Sequence, residues 1–282
     1  MNDRLFVALQ HLLPKLALTR LAGVAARAHA AGATTAFVRW FIGRYGVNMA
    51  EAANPDPAAY ATFNDFFTRA LKPGARPLAP AAWVCPVDGA ISQLGALDGE
   101  RLLQAKGHGY TATALLGGDA AAAAAFHGGH FATLYLSPKD YHRIHMPAAG
   151  TLRRMIHVPG ELFSVNPATA RGVPGLFARN ERVVCLFDGE RGPFAMVLVG
   201  ATIVGSMATV WHGVVNPPRP GRVREWHYGG ASEVRLQQGD EMGRFLLGST
   251  VVMLLPPGPL RFNPAWQPGG AIRMGEAMAD AA

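Results

Sequence analysis

The sequence predicts an α+β fold that is mainly β, in which amphipathic N-terminal helices precede a compact β-sandwich or barrel-like body. Up to about residue 50, apolar residues recur at helical spacing. Beyond residue 83, short apolar runs alternate with Gly, Pro, Asn and Asp, as expected for many short strands joined by turns. A chain of 282 residues, 50% of them hydrophobic, is long enough to bury a sizeable core.

The first 50 residues form a basic amphipathic segment. One helical face carries Leu5, Leu9, Leu12, Leu13 and Leu16. The basic residues of the segment are opposed by Asp3 alone, and they are Arg4, Lys15, Arg20, Arg27, Arg39 and Arg44. Such a segment favours attachment to an anionic membrane surface, and the alternative is an ordinary terminal helix packed on the domain. Lys15, Arg20 and Pro14 interrupt the apolar stretch, which argues against a signal peptide or a spanning helix.

Short elements follow in order. The Pro-rich residues 54–57 interrupt the helical pattern, and a short helix is predicted over 63–71. Strands are predicted over 131–136, 150–158, 182–187, 194–199, 202–210, 232–236 and 244–255. Residues 192–218 include no Asp, Glu, Lys or Arg. Because this stretch is β-branched and interrupted by Gly, we predict two buried strands there and not a membrane-spanning helix.

Charge and cysteine content narrow the classes of partner. The formal charge of +7 suits an anionic partner. The basic residues are dispersed outside the N-terminus, without the basic stripe and interleaved aromatics of nucleic-acid binders, so no nucleic-acid partner is expected. Cys85 and Cys185 lie far apart with no zinc spacing, which predicts two reduced core thiols, no metal and a cytoplasmic setting.

Gly248 and Ser249 place a small hydroxyl within the apolar run 245–255. One interpretation is structural, with Gly marking a bulge in a strand and the hydroxyl bonded to a neighbouring carbonyl. Upstream lie Asp88, in a turn-type sequence, and the histidines His142 and His145, three residues apart. A serine, a histidine and an aspartate are the components of an activated hydroxyl nucleophile. A serine hydrolase acting on an external ester or amide therefore also stays open, although the Gly-x-Ser-x-Gly elbow is absent.

Five ordered segments resemble the signature segments of phosphatidylserine decarboxylases. They are Phe63-Asn64-Asp65-Phe66-Phe67-Thr68-Arg69, Pro86-Val87-Asp88-Gly89, Asp140-Tyr141-His142-Arg143-Ile144-His145-Met146-Pro147, Leu162-Phe163-Ser164-Val165-Asn166-Pro167 and Leu247-Gly248-Ser249-Thr250. The resemblance runs from about residue 5 to about residue 275. It implies a proenzyme that cuts itself between Gly248 and Ser249, giving a β chain of residues 1–248 and an α chain of 249–282 that stay together as a heterodimer.

The resemblance also implies a reaction and a cofactor. Ser249 would become a pyruvoyl group, made from the chain itself in place of pyridoxal phosphate. This group would form a Schiff base with phosphatidylserine, release carbon dioxide and yield phosphatidylethanolamine. By resemblance, His145 is the base for self-cleavage and Asp88 orients it, with Asp140 as a competitor for the orienting role.

The resemblance also implies roles for other residues of these segments. His142 is assigned to decarboxylation, and the alternative is a structural histidine. Phe163, Ser164 and Asn166 are expected near the substrate, or as supports for the shape of its pocket. We expect residues 1–50 to be a membrane-associating segment and residues 51–282 a β-rich catalytic domain. The expected setting is peripheral, on the cytoplasmic face of the cell membrane, and a homodimer is plausible. A non-enzymatic basic lipid-binding module is the third alternative.

Overall fold

The computed structural model describes residues 3–203 and 206–281, and its helices lead and its strands follow as the sequence predicts. The helices are α1 (Asp3–Leu12), α2 (Lys15–Ala26), α3 (Gly32–Tyr45), α4 (Phe63–Phe67), α5 (Ala112–Leu115), α6 (Ala120–Ala124), α7 (Pro167–Gly172) and α8 (Leu176–Arg179). The strands are β1 (Trp83–Val84), β2 (Gly89–Ala96), β3 (Arg101–Ala105), β4 (His108–Thr111), β5 (His130–Tyr135), β6 (Arg143–His145), β7 (Gly150–Val158), β8 (Arg182–Gly189), β9 (Gly192–Val199), β10 (Met207–Thr209), β11 (Gly213–Asn216), β12 (Arg224–His227), β13 (Val234–Leu236), β14 (Glu241–Phe245), β15 (Thr250–Leu255), β16 (Leu260–Phe262), β17 (Ala271–Ile272) and β18 (Ala277–Ala281).

The β body is built around one large antiparallel sheet. Its strand order is β12-β7-β8-β9-β15-β5-β2-β17, with β13 also paired to β7. A smaller sheet has the order β11-β10-β14-β6, and β1, β18 and β16 form a third. Within the described residues these sheets are open, so the body is layered and is not a closed barrel. The mainly β, α+β prediction is confirmed.

Strand β15 lies at the centre of the large sheet and is buried on both faces. Val251, Met253 and Leu255 pack into the core between the large and small sheets. Val252 and Leu254 pack into a second core on the opposite face. Burial on both faces explains why this strand reads as a continuous apolar run.

The strand predicted over 244–255 is wrong as a single element. β14 ends at Phe245 and β15 begins at Thr250, so residues 246–249 are a non-strand connection. The chain must cross here from the small sheet to the centre of the large one, which a single straight strand cannot do. Of the strand predicted over 202–210, residues 207–209 form β10, while residues 204 and 205 lie outside the described residues.

The predicted N-terminal helices are confirmed as α1, α2 and α3. Two ion pairs hold α1 and α2 to the body. Asp3 of α1 pairs with Arg171 at 2.6 Å, and Lys15 of α2 pairs with Glu161 at 3.3 Å. No single helix in the described residues is long and apolar enough to cross a membrane. The bent pair Leu5–Leu12 and Lys15–Ala26, with an angle of 82° between them, would pass by length and composition only. The predicted domain boundary at residue 50 stays a prediction. Residues 1, 2 and 282, at the outer ends of the two predicted domains, lie outside the described residues.

Candidate active site

Ser249 is fixed by its backbone while its hydroxyl is left without a partner. Its carbonyl accepts a hydrogen bond from the Leu136 amide at 2.9 Å, which aligns residue 249 with the end of β5. The side chain is 1% exposed, and Oγ has no hydrogen-bond partner among the described residues. A buried hydroxyl without a partner loses the hydrogen bonds that water would give it. The structural interpretation, in which a neighbouring carbonyl satisfies this hydroxyl, is therefore wrong.

Gly248 packs directly against His142. A Cβ added at residue 248 would lie 2.6 Å from His142 Nε2 and 3.5 Å from Phe67 Cζ. The backbone of Gly248 is not in the left-handed region that favours glycine. Glycine is required here because of space, since any side chain would collide with the imidazole.

His142 is a neutral base aimed at Gly248. Its Nδ1 is 2.8 Å from the carbonyl oxygen of Asp140. Because a carbonyl only accepts, Nδ1 carries the proton, and the neutral ring keeps a free lone pair on Nε2. Burial lowers the pKa of His142 to about 3, and the positive charge of Arg69 also lowers it. Nε2 is buried and has no hydrogen-bond partner in the described part of the chain.

His145 is also a buried imidazole, but both of its nitrogens are occupied. Nδ1 lies 2.8 Å from the Gly239 carbonyl and Nε2 lies 3.0 Å from the Tyr141 hydroxyl. The Gly239 carbonyl places the proton on Nδ1, so Nε2 accepts from Tyr141. Burial lowers the pKa of His145 and raises the pKa of Tyr141 to about 12. The ring is therefore neutral, and the tyrosine hydroxyl keeps its proton.

Asp88 is held by a cation and a backbone amide, not by His145. Arg76 Nε donates to Asp88 Oδ1 at 2.9 Å, and the Met274 amide donates to the same oxygen at 2.9 Å. The hydrogen bond to Asp88 is the main cause that raises the pKa of Arg76. Asp88 immediately precedes β2, which pairs with β5, and β5 pairs with β15 on its other side. Two strand spacings put the backbones of residues 88 and 249 about 10 Å apart.

The structure thus brings the predicted site residues to one region without joining them in a chain of hydrogen bonds. The contacts of the uncut chain join neither Asp88 to His145 nor His145 to Ser249. The carboxylate of Asp140 accepts from the amide and hydroxyl of Ser137, both at 2.7 Å. Only the backbone carbonyl of Asp140 reaches a histidine, and that histidine is His142. The charge relay Asp88, His145 and Ser249 stays a prediction.

A cavity of about 640 Å³ opens in front of residues 247–249. Its walls are mostly apolar and come from α2, α3, α4, residues 164–166 and residues 201–203. Trp40 and Phe37 of α3 lie on its wall and are also about half exposed at the surface. The cavity is therefore suited to an apolar ligand, with the Gly248–Ser249 bond at its inner wall.

The three residues expected near the substrate divide into two groups. Ser164 and Asn166 line the cavity, and Asn166 also caps α7 by accepting from the Thr169 amide. Phe163 is 1% exposed and does not line it. Lys15 Nζ lies 4.3 Å from the centre of the Phe163 ring. This cation–π contact holds α2 against the body. Substrate contact by these residues stays a prediction.

The residues present fit a carbonyl group made from Ser249. Residue 249 is small, lines the cavity and directly follows Gly248, which packs against the neutral ring of His142. No group of three His, Cys, Asp or Glu side chains able to hold a metal occurs within residues 3–203 and 206–281. A group derived from the chain needs only the Gly248–Ser249 bond and the polar atoms around it.

Comparisons with known proteins show the family of the chain. A family model described as phosphatidylserine decarboxylase matches residues 63–280, and a second, described as PSD, matches residues 5–46. The chain belongs to the phosphatidylserine decarboxylase family. A phosphatidylserine decarboxylase proenzyme of Albidiferax ferrireducens is 72% identical over 279 residues, which are 99% of this chain and 98% of the relative. A relative of the same description from Azoarcus sp. is 71% identical over 280 residues, covering 99% and 97%.

Several contacts of this phosphatidylserine decarboxylase family member were not found by sequence reasoning. Arg76, the cation that holds Asp88, lies in a loop twelve residues upstream and carried no motif signal. The Gly239 carbonyl, which fixes the tautomer of His145, is a backbone atom that no side-chain pattern can indicate. Asn64 belongs to the first signature segment, and its amide donates to the Leu246 carbonyl at 2.5 Å.

Proposed function

We propose that the chain is a phosphatidylserine decarboxylase that matures by cutting its own Gly248–Ser249 bond. The observation that carries this proposal is the arrangement at that bond. A buried serine hydroxyl, without a partner among residues 3–203 and 206–281, adjoins a glycine that packs against a neutral imidazole at the wall of a large apolar cavity. The name shared by the relatives supplies the substrate, phosphatidylserine, and the word proenzyme indicates processing.

The cut requires that the Ser249 hydroxyl attack the carbonyl carbon of Gly248. The Gly248–Ser249 C–N bond breaks, and an ester joins the same two residues. Loss of the Cα proton and of the ester C–O bond then releases the Gly248 carboxylate and leaves dehydroalanine at 249. One water enters and one ammonia leaves, which gives the pyruvoyl end of the 249–282 chain. Attack within one dipeptide needs no capture of a second reactant.

We assign the proton of Ser249 to His145, with Asp88 supplying negative charge nearby. The neutral ring and the basic Nε2 of His145 support this role. Because Nε2 already accepts from Tyr141, His145 takes up the serine proton only when that hydroxyl turns away or passes the proton on. The cut therefore includes a local rearrangement at Tyr141.

We assign His142 to the decarboxylation that follows. In the uncut chain Gly248 covers the free Nε2 of His142, and release of Gly248 uncovers it beside residue 249. A pyruvoyl group at residue 249 supplies a carbonyl that condenses with the substrate amine and accepts the electron pair left as carbon dioxide departs. His142 then gives or takes a proton at the substrate α-carbon, and the apolar wall excludes water.

The cavity and the N-terminal helices support a lipid substrate at a membrane surface. Apolar side chains of α1, α2 and α3 are exposed, among them Leu12 at 81%, Leu21 at 68% and Trp40 at 54%. Lysine and arginine residues accompany these apolar side chains, which favours an anionic bilayer. We propose that the protein lies on the cytoplasmic face of the cell membrane and that acyl chains enter between α2 and α3. The homodimer stays a prediction.

A Ser249→Ala variant tests the proposed function. We expect one uncut chain on a denaturing gel and no release of carbon dioxide from phosphatidylserine. Ser92→Ala, on strand β2 away from the cavity, is the matched control and should be cut and active. Decarboxylation by Ser249→Ala at the rate of the control would refute the proposal. An uncut wild-type chain that hydrolyses esters and reacts with a serine-directed probe would instead favour a serine hydrolase.

A further inference from the structure

A second cavity adjoins the large one at Leu247 and Ile203. Its volume is about 330 Å³, and Leu247 and Ile203 line both cavities. Three arginines line it, Arg20, Arg27 and Arg219, and none of the described lining residues is Asp or Glu. Arg219 is paired with Glu181, but Arg20 and Arg27 have no ion-pair partner among the described residues, which makes the cavity suited to an anion.

Arg219 is fixed in place with a donor to spare. Its Nε donates to Glu181 Oε2 at 2.8 Å, and the other oxygen of Glu181 binds His157 Nε2 at 2.8 Å. The Nη2 of Arg219 is buried and has no hydrogen-bond partner among the described residues. A buried guanidinium nitrogen without an acceptor is unfavourable. An anion that entered this cavity would supply the acceptor that the described residues of the uncut chain do not.

Arg20 lies on α2 and Arg27 is the residue that caps the C-terminal end of this helix, with Gly23 between them in the sequence. A Cβ at residue 23 would come within 3.5 Å of Arg27 Nη1, so the missing side chain leaves room for the guanidinium over the helix. Neither arginine has a carboxylate within ion-pair distance in residues 3–203 and 206–281. Both are therefore available to a new anion.

The chain leading to the cut is anchored at Leu246 and free beyond it. The Leu246 amide donates to the Ser206 carbonyl at 3.0 Å, and the Leu246 carbonyl accepts from Asn64. Leu247 and Gly248 make no main-chain hydrogen bond with any of the described residues. Two extended residues span up to about 7 Å. After the cut, the free chain end at Gly248 can therefore move from the large cavity toward the second one, which Leu247 also lines.

We propose that the carboxylate created at Gly248 binds the guanidinium groups of this second cavity. The inference rests on the proposed function, because the carboxylate exists only after the cut. An α-carboxyl group is ionised at neutral pH, and a charge left unpaired in the apolar cavity is unfavourable. Arginine binds carboxylates through paired hydrogen bonds. Withdrawal of Leu247 and Gly248 also uncovers His142 and clears space beside residue 249.

Trimming of the new C-terminus by carboxypeptidase Y tests this site. The mass of the 1–248 chain is followed over time for the wild type, for Arg20→Ala/Arg27→Ala and for Arg39→Ala. Arg39 is an exposed arginine of α3 outside the cavity and serves as the control. We expect the wild type and Arg39→Ala to be trimmed at least tenfold more slowly than a free peptide of residues 240–248. The double variant should lose most of that protection, and Arg20→Gln and Arg27→Gln should each lose about threefold.

The possible outcomes distinguish failure of the carboxylate site in the second cavity from failure of the proposed function. If the wild-type chain is not cut at all, the proposed function fails, and the gel shows this before any trimming is measured. If the chain is cut but the wild type is trimmed as fast as the peptide, binding of the Gly248 carboxylate in the second cavity is refuted. Equal trimming of Arg39→Ala and the double variant also refutes it. A tenfold rise in KM for phosphatidylserine in neutral detergent, with trimming unchanged, would mean that the arginines hold the lipid phosphate and would likewise overturn the proposal.

Discussion

Replacing Gly248 with alanine should slow the self-cleavage, because the added methyl group collides with the tightly packed ring of His142. The new Cβ would lie 2.6 Å from His142 Nε2 and 3.4 Å from Cδ2. The ring is held by the Asp140 carbonyl at 2.8 Å and packs on Phe67 with 4.0 Å between ring centroids. His142 is 0% exposed, so no empty solvent space receives it. Either the ring or the peptide bond to be cut must shift.

The size of the effect follows from the overlap. An ordinary contact needs about 3.5 Å, so the atoms must separate by about 1 Å. Overpacking of this kind costs about 1–3 kcal/mol in well-packed interiors. If the peptide bond bears that strain, the cleavage rate falls by about 5- to 150-fold.

The assay is the time course of cutting after synthesis, followed on a denaturing gel. Gly43→Ala is the matched control, since Gly43 lies on α3 and no atom lies within 4 Å of its added Cβ. A second variant, Gly248→Ala/His142→Ala, removes the collision. It should recover cutting while remaining unable to decarboxylate, because we assign His142 to the later step.

Two results would refute this reasoning. Cutting of Gly248→Ala at the rate of Gly43→Ala would show that the close packing of residue 248 against His142 does not limit the reaction. A double variant that folds but stays uncut would show that His142 itself serves the cleavage, and the roles of His142 and His145 would then be exchanged.

Two further predictions concern the histidines. His145→Ala should give an uncut chain, whereas His142→Ala should give two chains that lack decarboxylase activity; the reverse pattern on a gel would contradict the assignment. Because the pKa of His142 is about 3 when folded and near 6.5 when unfolded, only the unfolded chain takes up this proton between those values. Stability therefore falls as the pH decreases through that window, and His142 alone should lower the free energy of unfolding by about 2 kcal/mol between pH 8 and pH 5. Urea unfolding of uncut Ser249→Ala measures this loss, which should shrink by that amount when His142→Gln is added; an unchanged loss would show that His142 is not buried as a neutral ring.

The fold class was predictable because its signals are local. Leucines at helical spacing mark α1 and α2, and apolar runs between turn residues mark most strands of the large sheet. The break between β14 and β15 was not predictable, because apolar residues on both sides of Gly248 and Ser249 give one mostly apolar run. The break arises from the crossing between two sheets, and such a crossing depends on which strands pair far along the chain.

The candidate site was predictable in its members but not in its contacts. Gly248, Ser249 and His142 were found by motif, and Gly248 does pack against His142. The tautomers of the histidines depend on the backbone carbonyls of residues 140 and 239, which every residue carries and no pattern marks. The second cavity joins arginines about 200 residues apart in sequence, so spacing alone could not reveal it.

The most direct test of the central claim is the mass of the purified wild-type protein under denaturing conditions. We predict two chains, residues 1–248 and residues 249–282, in equal amounts. The shorter chain should be lighter by one ammonia than a chain that begins with serine, and its N-terminus should resist Edman degradation. A single active chain of 29.9 kDa with an intact Gly248–Ser249 bond would contradict the account.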